Sequence, residues 1–393
     1  MRLELPSPRD WQREALKSWL NNGQRGIVKV VTGGGKTVFS GYCFNEIFKT
    51  KPESSVLIIV PTIVLQDQWY SIIIHSWGVN EKNVSTKLVD GALTKFTILV
   101  INTASKRELG RWFNEDSVLV VDECHKTASE VFRSIYDYDF WKQTIGLSAT
   151  PERQYDTFFE DILVPSLGNI VFDYDYIKAD EDEVISPFIL THHKVPFTED
   201  EAKKYDDLTR KIAIEHTRLK MEAEGSSLRL KTLYMKRSTV SKRAEFRTPI
   251  AANLIKSLIP RKIILFHESI DQIEALNTYL VSIGIDSKTY HSRLTRKSKL
   301  HALRQFIRSE IDVLLTCRAL DEGFDLPDIE VGIFAAMTKS PRQRIQRLGR
   351  VLRPVDGKIA DIRTLFTLHE EHFLEKESES LGEICQITWM GSE

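Results

Sequence analysis

From the N-terminus to about residue 170, short apolar runs alternate with longer stretches of mixed polarity. Residues 27–31 (IVKVV), 56–60 (VLIIV), 97–101 (TILVI) and 118–121 (VLVV) are almost continuous in aliphatic side chains. A strand with one wet face would alternate, so these runs predict a parallel sheet covered on both faces. A second series follows at 263–266 (IILF), 311–315 (IDVLL) and 330–334 (EVGIF), with helical patterns at 270–283 and 297–309. Two successive strand–helix series predict two α/β domains.

The composition between the two series is different. Residues 173–183 are acidic and turn-like, which predicts a linker. Thr198 followed by Glu201 has the form of a capping box at a helix start. From there to about residue 247 the pattern is helical and increasingly basic, with Arg229, Lys231, Lys236, Arg237, Lys242, Arg243 and Arg247. Such a run is either a solvated helix face or a surface that follows phosphates, and both readings stand at this point. The expected division is therefore 1–172 for the first domain, 173–248 for a linker and helical basic insertion, and 249–393 for the second domain.

Composition narrows the class. The chain has 393 residues, enough for two or three domains, with 42% hydrophobic and 28% charged residues. Its 54 Lys+Arg nearly cancel its 55 Asp+Glu, leaving a formal charge of −1. A polyanion would have to meet a local basic surface, since the whole molecule does not attract it. Cys43, Cys124, Cys317 and Cys385 are scattered without a CxxC pair, which indicates neither a disulfide framework nor a zinc site and points to the reducing cytoplasm. The longest apolar run is broken at Pro61 and is far too short to cross a bilayer, and the start lacks an apolar signal core. Membrane insertion and secretion are not expected.

Candidate chemistry lies at two strand ends. Thr32-Gly33-Gly34-Gly35-Lys36-Thr37 follows one apolar run and precedes an amphipathic segment at 38–48. Three glycines let backbone N–H groups close around phosphate oxygens, and a helix N-terminus adds its positive dipole end. In this reading Lys36 reaches the β- and γ-phosphates and the Thr37 hydroxyl ligates Mg²⁺. The full eight-residue phosphate-loop pattern would place glycine where Val30 stands, so a plain glycine-rich turn is the competing reading of this segment alone. Asp122-Glu123-Cys124-His125 follows the run at 118–121. Carboxylates at the C-terminal end of a buried parallel strand face the ligand crevice. Asp122 is expected to hold Mg²⁺ through water and Glu123 to take a proton from the attacking water, with His125 as a hydrogen-bonding coupler. A helix N-cap is the structural alternative for the acidic pair.

The ordered set TGGGKT, DECH, Ser148-Ala149-Thr150 and Gln346-Arg347-Leu348-Gly349-Arg350-Val351-Leu352-Arg353 resembles helicase superfamily two, over nearly the whole chain. The segments 146–151 (GLSATP) and 317–327 (CRALDEGFDLP) look like the branch that holds XPB-type DNA helicases, RadD-like proteins and restriction-enzyme ATPase subunits. The resemblance implies two RecA-like domains that hydrolyse ATP with Mg²⁺ to translocate on or unwind a nucleic acid, DNA rather than RNA, with 3′-to-5′ polarity. It implies that Gln12, beside Arg9, reads adenine. It also implies that Arg350 and Arg353 are arginine fingers, that Gln346 senses phosphate or water, and that Asp325, after Gly323, lies near the ribose. Pro61, Thr62, Thr103, the segment around His267, and Thr316 match backbone-contacting motifs, with Lys236 and Arg237 as further candidate phosphate contacts. Val31 stands where the family usually has Ala or Pro. The chain ends soon after Arg353, so a fused nuclease domain is not expected, although a nuclease is an expected type of partner protein. The competing functions are an RNA helicase and a nucleotide-gated DNA clamp with little unwinding of its own.

Overall fold

The computed structural model describes residues 1–152, 157–221, 228–317, 329–336, 359–382 and 384–391. It divides into two units, one holding Met1–Ile185 and the other beginning at Ser186. Each is built on a wholly parallel seven-stranded sheet flanked by helices.

In the first unit the strands are β1 (Arg25–Val30), β2 (Val56–Val60), β3 (Val84–Ser85), β4 (Phe96–Val100), β5 (Val118–Asp122), β6 (Gln143–Ser148) and β7 (Ile170–Tyr174). Their order is β3-β4-β2-β5-β6-β1-β7. Every residue of β2, β5 and β6 is buried, which is why the aliphatic runs at 56–60 and 118–121 carry no alternation. Burial of each such Val, Ile or Leu contributes roughly 1.5–3 kcal/mol. One consequence of the order matters for function: β2, β5, β6 and β1 are consecutive neighbours, so the loops after their C-terminal ends share one rim of the sheet.

The second unit contains β8 (Phe188–Lys194), β9 (Ile263–His267), β10 (Ser287–His291), β11 (Val313–Cys317), β12 (Val331–Phe334), β13 (Ala360–Phe366) and β14 (Gln386–Met390), in the order β10-β11-β9-β12-β13-β8-β14. Its main apolar core packs the helices Arg247–Leu258 and Ile270–Ser282 on β9, β11 and β12.

The unit boundary differs from the expected one. Residues 173–183 are not a linker: Asp173 and Tyr174 complete β7, and a helix follows at Tyr176–Glu181. The helical insertion belongs inside the second unit, because β8 precedes it and pairs with β13 and β14. Within the described residues the insertion contains the helices Glu199–Met221 and Leu228–Lys242. Its start is as expected, with Thr198 N–H donating to Glu201 Oε2 at 3.0 Å and Glu201 N–H donating to Thr198 Oγ1 at 3.3 Å. No helix among the described residues is long and apolar enough to cross a membrane.

Candidate nucleotide site

The glycine-rich loop bridges β1 and the helix Lys36–Thr50, and its three glycines are needed for different reasons. Gly33 and Gly35 take φ of 87° and 100°, a region that L side chains rarely occupy. At Gly34 a Cβ would lie 2.6 Å from Val30 Cγ1 and 3.2 Å from the Val31 carbonyl oxygen, so steric room decides the residue there. Val30, the departure from the full loop pattern, is thus the side chain that Gly34 packs on.

Behind the loop stands the first helix, Asp10–Asn21. Arg9 donates to the Gly34 carbonyl at 3.2 Å, and Gln12 Nε2 donates to the Gly35 carbonyl at 3.3 Å. Gln12 Oε1 also accepts the Arg9 N–H at 3.0 Å. Arg9 and Gln12 therefore meet the loop backbone directly. Trp11, between them, stacks on Tyr174 at 5.0 Å and on Phe39 at 6.0 Å, tying the helix to β7 and to the loop helix.

Lys36 Nζ lies 3.5 Å from Glu123 Oε1 and 3.5 Å from the Val30 carbonyl. Loop and acidic pair are therefore one site. Glu123 has φ 50° and ψ 51°, a left-handed conformation that turns the chain sharply at the end of β5. Its other oxygen, Oε2, is 3.4 Å from His125 Nδ1. That same nitrogen shares a 2.9 Å hydrogen bond with Ser148 Oγ, which accepts the Thr150 N–H at 3.1 Å. The expected coupler His125 thus connects the acidic pair to the Ser148–Thr150 segment at the end of β6.

The two carboxylates differ electrostatically. Burial, with the neighbouring Glu123 charge, pushes Asp122 up to about 6. Its Oδ2 accepts the Trp69 indole N–H at 2.9 Å and its Oδ1 the Glu123 N–H at 3.0 Å. Burial also opposes ionisation of Glu123, but Lys36, then His125 and Lys126, outweigh it and hold that carboxyl below its ordinary value. A phosphate-bound divalent cation suits this donor set. Two hard carboxylates face an amino group, and the buried Thr32 Oγ1 beside the loop has no protein partner. Thr37 opens the helix beside Lys36.

The remaining expected residues fall into three groups. Gly323, Asp325, Gln346, Arg350 and Arg353 lie outside the described residues. Pro61, Thr62 and Thr103 follow the ends of the adjacent strands β2 and β4. Thr62 caps the helix Ile63–Ser71, accepting the Leu65 N–H at 3.3 Å, while Thr103 is exposed. The candidates of the second unit differ in exposure. The side chains of His267 and Thr316 are buried, Thr316 at 1% exposure, because both sit within fully buried strands. Arg237 is also engaged: it donates to Thr209 Oγ1 at 3.2 Å and lies 5.4 Å from the ring centres of Tyr205 and Tyr234, so it staples the two insertion helices. Lys236 is exposed.

Two residues, Trp69 and Lys29, had no flag in the sequence, and a third, Arg247, was flagged for a different role. Trp69 reaches Asp122 across 53 positions. Lys29 pairs with Asp173 at 2.9 Å and Glu152 at 3.3 Å. Arg247, read as part of a basic surface, is buried: it donates to the carbonyls of Ser241, Ala335 and Leu365 at 2.7–2.8 Å and pairs with Glu370.

Comparison with known proteins agrees with this geometry. A family model described as type III restriction enzyme, res subunit, matches residues 5–153, and one described as helicase conserved C-terminal domain matches residues 248–355. The DNA 3′-5′ translocase XPB2 of Sulfurisphaera tokodaii is 27% identical over 369 residues, covering 88% of this chain and 79% of that protein. A Haloarcula marismortui protein named as a Rad25 DNA 3′-5′ helicase is 27% identical over 385 residues, and the chain spans 95% of itself but only 55% of that relative. The Pyrococcus furiosus Hef helicase domain shares the fold at a TM-score of 0.61 and 16% identity, over 95% of this chain and 98% of that one. With both helicase halves matched in order on two RecA-like sheets, the chain belongs to helicase superfamily two, of the XPB-like and restriction-subunit-like kind, and is an ATP-hydrolysing nucleic-acid helicase.

Proposed function

We propose that this chain is a DNA-dependent ATPase that translocates on or unwinds DNA in the 3′-to-5′ direction. The observation that carries the ATPase half of this reading is the 3.5 Å approach of Lys36 to Glu123 across a left-handed glycine loop. Glu123 lies against Lys36, and bound phosphates would take its place. Lys36 then neutralises phosphate charge, and Glu123, released from the pair, accepts a proton from water. Thr37 and Asp122 would hold Mg²⁺, which supplies charge neutralisation on the phosphates. Arg9 and Gln12 set the loop backbone, and the adenine-reading role of Gln12 rests on the motif resemblance. The arginine-finger role of Arg350 and Arg353, the sensing role of Gln346 and the ribose-side role of Gly323 and Asp325 rest on the motif resemblance alone.

DNA as the track is supported by the printed names of the two relatives. Pro61, Thr62 and Thr103, gathered after adjacent strands of one rim, suit backbone contact without base reading. The exposed Lys236 suits a phosphate contact, whereas Arg237 acts within the insertion. Four cysteines that form no disulfide with one another fit a cytoplasmic setting. A nuclease is the partner type that the match to a restriction subunit favours. ATP turnover measured with single-stranded DNA, duplex DNA and RNA tests the reading. DNA should stimulate most; stimulation by RNA alone would overturn the choice of track, and DNA-stimulated turnover without strand separation or movement would make the chain a clamp.

A further inference from the structure

We propose that Trp69 is a positioning residue of the nucleotide site. Its indole N–H fixes one oxygen of Asp122, so that the carboxylate offers its remaining acceptor directions to the metal-bound water in a single orientation. The inference rests on the reading of Asp122 as the Mg²⁺-holding residue.

A carboxylate at the end of a strand can rotate about two side-chain bonds, and each oxygen has two acceptor directions. In this protein Asp122 receives one donor on each oxygen: the Trp69 N–H on Oδ2 at 2.9 Å and the Glu123 N–H on Oδ1 at 3.0 Å. Two donors on opposite oxygens fix both the plane and the twist of the group, while one acceptor direction on each oxygen stays free. The Glu123 N–H is local and would follow Asp122 in any case. Trp69 is not local; it stands on the helix Ile63–Ser71, which leaves β2, the immediate neighbour of β5.

Trp69 is itself immobilised. It is 1% exposed, and its ring meets Trp77 edge-on, with centroids 6.1 Å apart and planes 89° apart. An indole has one donor and no acceptor, so it cannot swap roles as a hydroxyl or an amide would. Hydrogen bonds from outside the coordination sphere that orient a metal ligand are worth about 10–100-fold in metal affinity. Packing alone would require only the ring, not a nitrogen aimed at a carboxylate.

Mn²⁺ binding at saturating ADP, followed by electron paramagnetic resonance, reads the metal site without turnover. Two variants remove the donor: Trp69→Phe, and site-specific replacement of Trp69 by benzothienylalanine, which keeps the shape of indole and puts sulfur in place of the N–H. Both should weaken Mn²⁺ about tenfold, and the isostere should do so without lowering the thermal midpoint. In an Asp122→Asn background the replacement at position 69 should have no further effect on Mn²⁺. Wild-type Mn²⁺ affinity in the isostere, with loss in Asp122→Asn, overturns the role of Trp69 and leaves that of Asp122 standing. Wild-type affinity in Asp122→Asn overturns the metal reading of Asp122 and this inference with it. An equal Trp69 effect in both backgrounds means that the ring only packs, which also overturns it.

Discussion

Replacing Glu123 by Gln separates binding from chemistry at the nucleotide site. Lys36 and Glu123 are 3.5 Å apart and mostly shielded, with side-chain exposures of 11% and 17%. At an effective dielectric of about 20, two unit charges at that distance attract by on the order of 5 kcal/mol. An incoming phosphate must break that pair and then tolerate the Glu123 charge nearby. Recovery of even roughly 1.4 kcal/mol of this through Glu123→Gln tightens nucleotide binding about tenfold. The same change removes the proton acceptor, and loss of a positioned general base typically costs roughly 10²–10⁴-fold in rate. Calorimetric titration with ATP, alongside single-turnover hydrolysis, measures both quantities on one preparation. The expected result is tighter ATP with hydrolysis lowered at least a hundredfold. Weaker ATP binding together with near-normal turnover would refute the argument, since it would mean that Glu123 neither competes for Lys36 nor accepts the proton.

Three further outcomes follow from the same geometry. Asp122 has its pKa raised to about 6 from an ordinary 3.8, so between these values the folded chain binds the extra proton. Its contribution therefore favours the metal-free fold at low pH and is lost as pH rises through about 6. Mn²⁺ must displace that proton, so its affinity at saturating ADP should fall as pH drops below 6; a flat profile from pH 7 to 5 contradicts the assignment. Gly34→Ala places a methyl group 2.6 Å from Val30 Cγ1, so ATP binding measured by calorimetry should be lost with little change in circular dichroism, and wild-type affinity would show that the loop tolerates the methyl. Arg247→Met leaves the partly buried Glu370 without its cation and three carbonyls without the guanidinium donor, and should cost about 3–5 kcal/mol in urea unfolding; a loss below ~1 kcal/mol would contradict the buried-node reading.

Sequence legibility followed contiguity. Runs such as 56–60 and 118–121 coincide with β2 and with most of β5 because strands buried on both faces need only aliphatic residues. β10 (SKTYH) and β14 (QITWM) carried no such signal: β10 is a polar edge strand, and β14 is an edge strand left largely exposed. The glycine loop and the Asp122–Glu123 pair could be read because each is a contiguous motif. Their meeting could not, since it depends on β5, β6 and β1 being consecutive neighbours. The same holds for Trp69 with Asp122 and for His125 with Ser148, pairs that strand order alone brings together. Arg247 misled for a different reason. Charge suggests exposure, but its acceptors come from residues 241, 335, 365 and 370, which no local pattern connects.

The central claim, that Lys36 and its acidic partners form a nucleotide site driven by a nucleic-acid track, is tested most directly by ATP hydrolysis of the purified chain with and without single-stranded DNA, beside Lys36→Ala. The account predicts turnover that DNA raises and that vanishes in Lys36→Ala. Equal turnover by the two proteins would contradict it.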